Sequence, residues 1–163
     1  MSRLVELNAK IDAFFARVKT RHGDDMQCGT GCSDCCHARL SVTGVEADAI
    51  RAELAGWPAP RRAALADNVA AGPVDRCAAL DPAGRCLIYE VRPVVCRSHG
   101  APIRMRVDSL PVVQSCHRNF THTVPDPDCV IDQETLSTLT LAVDRAAGGA
   151  GARIDLATLL GTM

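Results

Sequence analysis

Four cysteines fall within nine residues near the start of the chain: Cys28, Cys32, Cys35 and Cys36, in the pattern C-x3-C-x2-C-C. Thiolates two residues apart can reach one metal ion through a tight turn. Gly29 and Gly31 sit among them, where glycine lets the backbone curl and aim N–H groups at sulfur. Cys35 and Cys36 are adjacent, and neighbouring side chains diverge. The pair therefore serves two metals, or one serves a metal while the other packs. A single cysteine is often just a small buried hydrophobe, but four so close together argue for a metal over packing.

A second group runs Cys77, Cys86, Cys96. Asp81-Pro82-Ala83-Gly84 matches a type I turn, with Asp first, Pro second and Gly fourth. If it joins two short antiparallel strands, Leu80 faces Arg85, Ala79 faces Cys86, and Cys77 lies diagonal to Cys86. Diagonal neighbours sit about 7–8 Å apart, long for a disulfide and suited to two thiolates on one metal. Pro93 is expected to start a helical turn that points Cys96 back toward the centre. Arg92 and Arg97 flank Cys96, and positive charge there lowers a thiol's pKa and offsets the charge of a metal–thiolate centre. Arg97 is the cofactor-binding candidate, with pairing to a carboxylate as its equal alternative. Arg92 is expected to bond backbone or an acid and brace the loop, and Tyr89 to be a packed ring with a bonded hydroxyl.

Cys116 follows an extended stretch, Leu110–Val113, and can return a further ligand. The expected metal ligands are thus Cys28, Cys32, Cys35, Cys36, Cys77, Cys86, Cys96 and Cys116, enough for two four-cysteine sites or one larger cluster. Cys129 is the cysteine left over. His37, His99 and His117 are also candidate ligands, though each alone is read as a loop residue.

Zinc domains commonly pair two C-x2-C knuckles. This chain has one, followed by cysteines nine and ten residues apart. Iron–sulfur clusters tolerate irregular thiolate spacing, which favours iron–sulfur over zinc, with copper(I) behind both. No dinucleotide fingerprint, phosphate loop or nucleophile–base motif is visible. That favours a metal-binding module over a redox or modification enzyme. A structural zinc domain docking a protein partner is the third reading.

These residues must be positioned by a chain of 163 residues, 47% hydrophobic and 23% charged, long enough to bury a core without metal or disulfides. Only 3% is aromatic, so that core rests on Leu, Val, Ile and Ala. A net charge of −1 lacks the basic excess of a nucleic-acid binder. No apolar run approaches the roughly 20 residues that span a bilayer, and the N-terminus lacks the order of a signal peptide. The expected compartment is the cytoplasm, where many cysteines imply metal or redox chemistry, not disulfides.

Leu4, Leu7, Ile11, Phe14 and Val18 mark an amphipathic helix over 2–21, capped by Ser2. Thr43 and Glu46 form a capping box opening a helix to about Ala55. A third helix runs from about Pro60 to Ala71 before Gly72-Pro73. Asp132 caps a C-terminal helix over 132–147, with Leu136, Leu139, Val143 and Ala146 in line, and a short helix around Asp155–Leu160 follows a glycine linker. The expected fold is mainly α: a single domain over 1–163, with four to five helices, a short β-hairpin and an irregular cysteine-rich metal-binding region, its core motifs within 26–118.

Cys28, Gly31, Cys32, Cys35, Cys36 and Glu46, then Cys77, Leu80, Asp81, Gly84, Cys86, Ile88, Tyr89, Arg92, Pro93, Cys96 and Arg97, resemble the YkgJ-like cysteine-cluster family, also called CxxCxxCC. The resemblance covers about residues 26–100 and extends to Cys116. It implies chelation of zinc or iron by the matching cysteines. A larger flagellin-lysine methylating enzyme looks related and is associated with an iron–sulfur cluster, which tilts the expectation to iron. Its extra segments are not evident here, so methylation is not carried over. Cys28, Cys32 and Cys35 also fit the radical S-adenosylmethionine signature. That chemistry sits on a larger α/β barrel and usually has an aromatic where this chain has Asp34.

Overall fold

The computed structural model describes residues 2–29 and 31–162; Thr30, inside the first cysteine loop, and the terminal Met1 and Met163 lie outside the described residues. In chain order the elements are α1 (Arg3–Arg21), β1 (Ser41–Thr43), α2 (Gly44–Ala55), α3 (Ala59–Ala71), α4 (Val94–Ser98), β2 (Ile103–Val107), β3 (Leu110–Gln114), β4 (Ile131–Asp132), α5 (Gln133–Ala146), β5 (Arg153–Asp155) and α6 (Leu156–Gly161). Helical turns make up 51% of the described residues, and the strands form two small sheets. The helical expectation holds in outline, with more strand than one hairpin. Among the described residues no helix is long and apolar enough to cross a membrane.

The chain divides into two compact units. The first comprises residues 1–30 and 94–142, the second residues 31–93 and 143–163.

In the first unit α1 begins where expected: the Ser2 side chain accepts a hydrogen bond from the Val5 N–H at 3.3 Å. Leu4, Leu7, Ile11 and Val18 form its buried stripe, and the helix packs on α4. The three-stranded sheet has the order β3-β2-β4. Its β2–β3 pair is an antiparallel hairpin turning at Asp108 and Ser109, both with positive φ.

The second unit carries the larger apolar core. Val42, Ile50, Leu54, Trp57, Leu65, Leu80, Ile88, Leu156, Leu159 and Leu160 belong to one buried cluster. The capping box forms, with the Glu46 carboxylate accepting from both the Thr43 N–H and its hydroxyl at 2.8 Å. Asp144 adds a second acceptor at the start of α2, taking the Val45 N–H at 2.8 Å. Strand β1 pairs antiparallel with β5, and Asp155 then caps α6 by accepting from the Thr158 N–H.

Two expectations are corrected. In α5 the buried positions include Thr140 and Asp144, while Leu139 is exposed. Burial there follows the polar bonds of these side chains: Thr140 donates to the Leu136 carbonyl and Asp144 serves the α2 N-terminus. The turn at Asp81 also has a different register. Leu80, not Ala79, bridges Cys86, and the Asp81 N–H donates to the Arg85 carbonyl at 2.9 Å. Gly84 adopts φ +76°, which adds a third residue to the loop. A type I turn extended by a left-handed glycine matches strand twist better than the two-residue type I loop. The segment holds one isolated bridge; the regular hairpin lies at β2–β3.

Candidate metal centre

In the second unit Cys36 hydrogen-bonds with Cys35 and lies near enough to Cys77 and Cys86 to feel their charge. Cys35 and Cys36 end a short 3-10 turn, Asp34–Cys36, closed by the Cys36 N–H on the Ser33 carbonyl at 2.8 Å. The Cys36 carbonyl in turn accepts from the Cys77 N–H at 2.7 Å, joining the two cysteine segments through the backbone. Cys86 is placed by its bridge to Leu80 and by the Leu87 N–H on the Ala79 carbonyl at 2.8 Å.

Backbone N–H groups lie beside two of these sulfurs. Those of Ala79 and Leu80, two and three residues after Cys77, act on its thiol. That of Ile88, two residues after Cys86, acts on the Cys86 thiol. Such donors stabilise thiolate over thiol. The side chains of Ala79, Leu80 and Ile88 are all buried in the core, so these N–H groups are held by packing.

The metal-free thiols nevertheless hold their protons. Burial pushes Cys77 and Cys86 up, against the pull of the N–H bonds and, at Cys86, of the Arg92 charge. Cys36 is pushed up furthest. Its hydrogen bond with Cys35 is the main cause, followed by burial and by repulsion from Cys35, Cys77 and Cys86. A cation among the sulfurs reverses this balance, because mutual repulsion of thiolates becomes shared attraction to the ion. Thiolates with backbone N–H groups beside them are the donor type that zinc and iron sites use.

Arg92 stacks over the Tyr89 ring at 4.1 Å and donates to the Tyr89 carbonyl at 3.0 Å. It both braces the loop and places positive charge near Cys86. Arg97 lies in the first unit and pairs with Asp12 at 2.7 Å, the carboxylate-paired alternative for this residue.

Cys32 belongs to the second unit, on the loop leading to Cys35, while Cys28, Cys96 and Cys116 belong to the first. There the buried Asn119 gathers the cysteine segments. Its side-chain amide donates to the Cys28 sulfur at 3.1 Å and to the Gly100 carbonyl, in the turn after α4 and Cys96, at 2.7 Å. Its amide oxygen accepts from the Gln27 N–H at 2.8 Å, and its own N–H donates to the Cys116 carbonyl at 2.8 Å. Nothing in the cysteine spacing marks Asn119. His37, His99 and His117 are all exposed. Cys129 is fully buried against Val18 and Met26. None of the nine cysteines is joined in a disulfide.

Thiols are the donor type that zinc and iron sites use. A family model carrying the name CxxCxxCC and the description "Putative zinc- or iron-chelating domain" matches residues 27–129. The match spans more than half of the chain, and the chain belongs to this family. No curated protein and no solved structure matches it.

Proposed function

We propose that this chain is a zinc- or iron-binding module whose principal centre is formed by Cys35, Cys36, Cys77 and Cys86. The single observation that carries this is the approach of Cys36 to Cys35, Cys77 and Cys86, with core-anchored N–H groups beside the Cys77 and Cys86 sulfurs. Deprotonated, these sulfurs repel one another, and a bound cation turns that repulsion into shared attraction. Cys28, Cys32, Cys96 and Cys116 complete the eight-cysteine ligand set. The role that fits is storage, carriage or sensing of the metal, in a reducing compartment such as the cytoplasm, where the thiols stay free.

A second reading has one specific support. Arg92 sets positive charge beside Cys86, and hydrogen bonds and charge near sulfur tune the potential of an iron–sulfur cluster. An iron–sulfur centre supporting redox or protein-modification chemistry follows from that feature. Purification without oxygen, with zinc, iron and sulfide counted per chain, separates the two. Iron and sulfide in equal amounts with brown colour support the cluster, while colourless zinc-loaded protein supports the chelating module. Cys35→Ser and Cys86→Ser should each lower the metal content. Full metal content in both variants sinks the proposed centre.

A further inference from the structure

His22, Asp126 and Cys129 lie in the first unit, away from the eight cysteines in sequence pattern and absent from the ligand set above. One donor atom from each falls within 4.8 Å of the others. We propose that these three residues form a second metal site, a mixed nitrogen, oxygen and sulfur site for a borderline dication, zinc foremost.

The imidazole is set for it. Nε2 of His22 accepts a hydrogen bond from the Asp126 N–H at 3.4 Å, so this nitrogen carries the lone pair. The same nitrogen is 3.4 Å from the Asp126 carboxylate. On the other side of the ring, Nδ1 faces the Asp25 carboxylate at 3.8 Å. A carboxylate behind a histidine fixes the ring and its tautomer in metal sites. Phe120 meets the ring edge-on, with centroids 5.1 Å apart, and the side chain is only 13% exposed. Cys129 supplies a fully buried thiol at the end of the short turn Pro127–Cys129.

Distances and charge agree with an ion of this size. Tetrahedral zinc holds its donors about 3.3–3.8 Å apart, given metal–ligand bonds of about 2.0–2.3 Å. The Nε2-to-carboxylate separation of 3.4 Å is already in that range, and the sulfur lies within 4.8 Å of both atoms. His22 caps the C-terminal end of the 19-residue α1, where the helix dipole favours a cation. Asp25, Asp126 and Asp128 add negative charge. Arg21 opposes them: it is held by Asp128 at 2.6 Å and lies within hydrogen-bonding reach of Cys129. The mixed donors select zinc over magnesium or calcium, which prefer all-oxygen sites, and over copper(I), which prefers sulfur. Three protein ligands leave a fourth position for solvent or a further ligand, and Asp126 is exposed.

The test is a titration of the full-length, reduced, metal-free chain with cobalt(II) as a spectroscopic probe for zinc. Asp126→Asn and Cys129→Ser should each remove one cobalt per chain or weaken its binding about tenfold or more, leaving the four-thiolate absorption unchanged. Arg21→Gln should tighten the same step. Asp126 is exposed, so its variant keeps the test decisive if Cys129→Ser fails to fold. Unchanged cobalt stoichiometry and spectra in Asp126→Asn and His22→Gln overturn the proposal. Cys86→Ser run alongside tests the four-thiolate centre instead: it should erase the thiolate-rich absorption and keep the step that Asp126→Asn removes.

Discussion

Glycine at position 100 is fixed by two independent demands. Its φ is +95°, a left-handed region that side chains rarely enter. A Cβ built there would also overlap the Cys28 sulfur and approach the Asn119 amide at 3.4 Å. Gly100→Ala should therefore displace Cys28 from the hydrogen bond that holds it. The expected cost is about 1–3 kcal/mol of stability, read as a shift of the urea midpoint, with faster alkylation of Cys28 in the metal-free chain. A variant as stable as the parent, with Cys28 equally protected, would show that this packing is dispensable. The contrast between Cys28 and Asn119 shows what is legible at this scale. The cysteine announces itself by type and spacing. The asparagine is one polar residue in a loop, and it becomes recognisable only when Gln27, Cys28, Gly100 and Cys116 are seen to converge on it.

At the scale of elements, helix starts were legible because capping is local chemistry. Ser2, Thr43 with Glu46, and Asp132 all act where the sequence places them. Asp144 is different: it is 1% exposed yet sits 99 residues from the N–H it accepts at the start of α2. Its other oxygen accepts from the Gly151 N–H at 3.0 Å. Asp144→Ala should strand these two part-buried donors at a cost of up to about 2–6 kcal/mol, at roughly 1–3 kcal/mol for each group left unpaired. Urea unfolding followed by circular dichroism checks this, and a loss below about 0.5 kcal/mol would mean water replaces the carboxylate. The register at Asp81 was beyond sequence for a related reason. Whether Gly84 ends a two-residue loop or enters a three-residue one depends on how the flanking strands twist, and both options fit the same four letters.

For the molecule as a whole, the second unit's apolar cluster includes Cys77, Ala79, Leu80 and Ile88 themselves. Cys77 and the residues that follow it and Cys86 are thus part of the hydrophobic core. Stripping metal with a chelator should leave the helical far-UV signal largely intact while amide exchange at Ala79, Leu80 and Ile88 accelerates. Cooperative loss of helicity on chelation would place this protein with small zinc domains that unfold without metal. The sequence by itself determined the helices with their caps and the thiolate character of the chemistry, since both follow from residue type and short-range spacing. The membership of Cys35, Cys36, Cys77 and Cys86 in one group, the pairing of Arg97 with Asp12, and the meeting of His22 with Asp126 and Cys129 were decided by tertiary structure. Each joins residues about 40 to 110 positions apart, and a contact at that separation is set by how the elements pack, which no local pattern encodes.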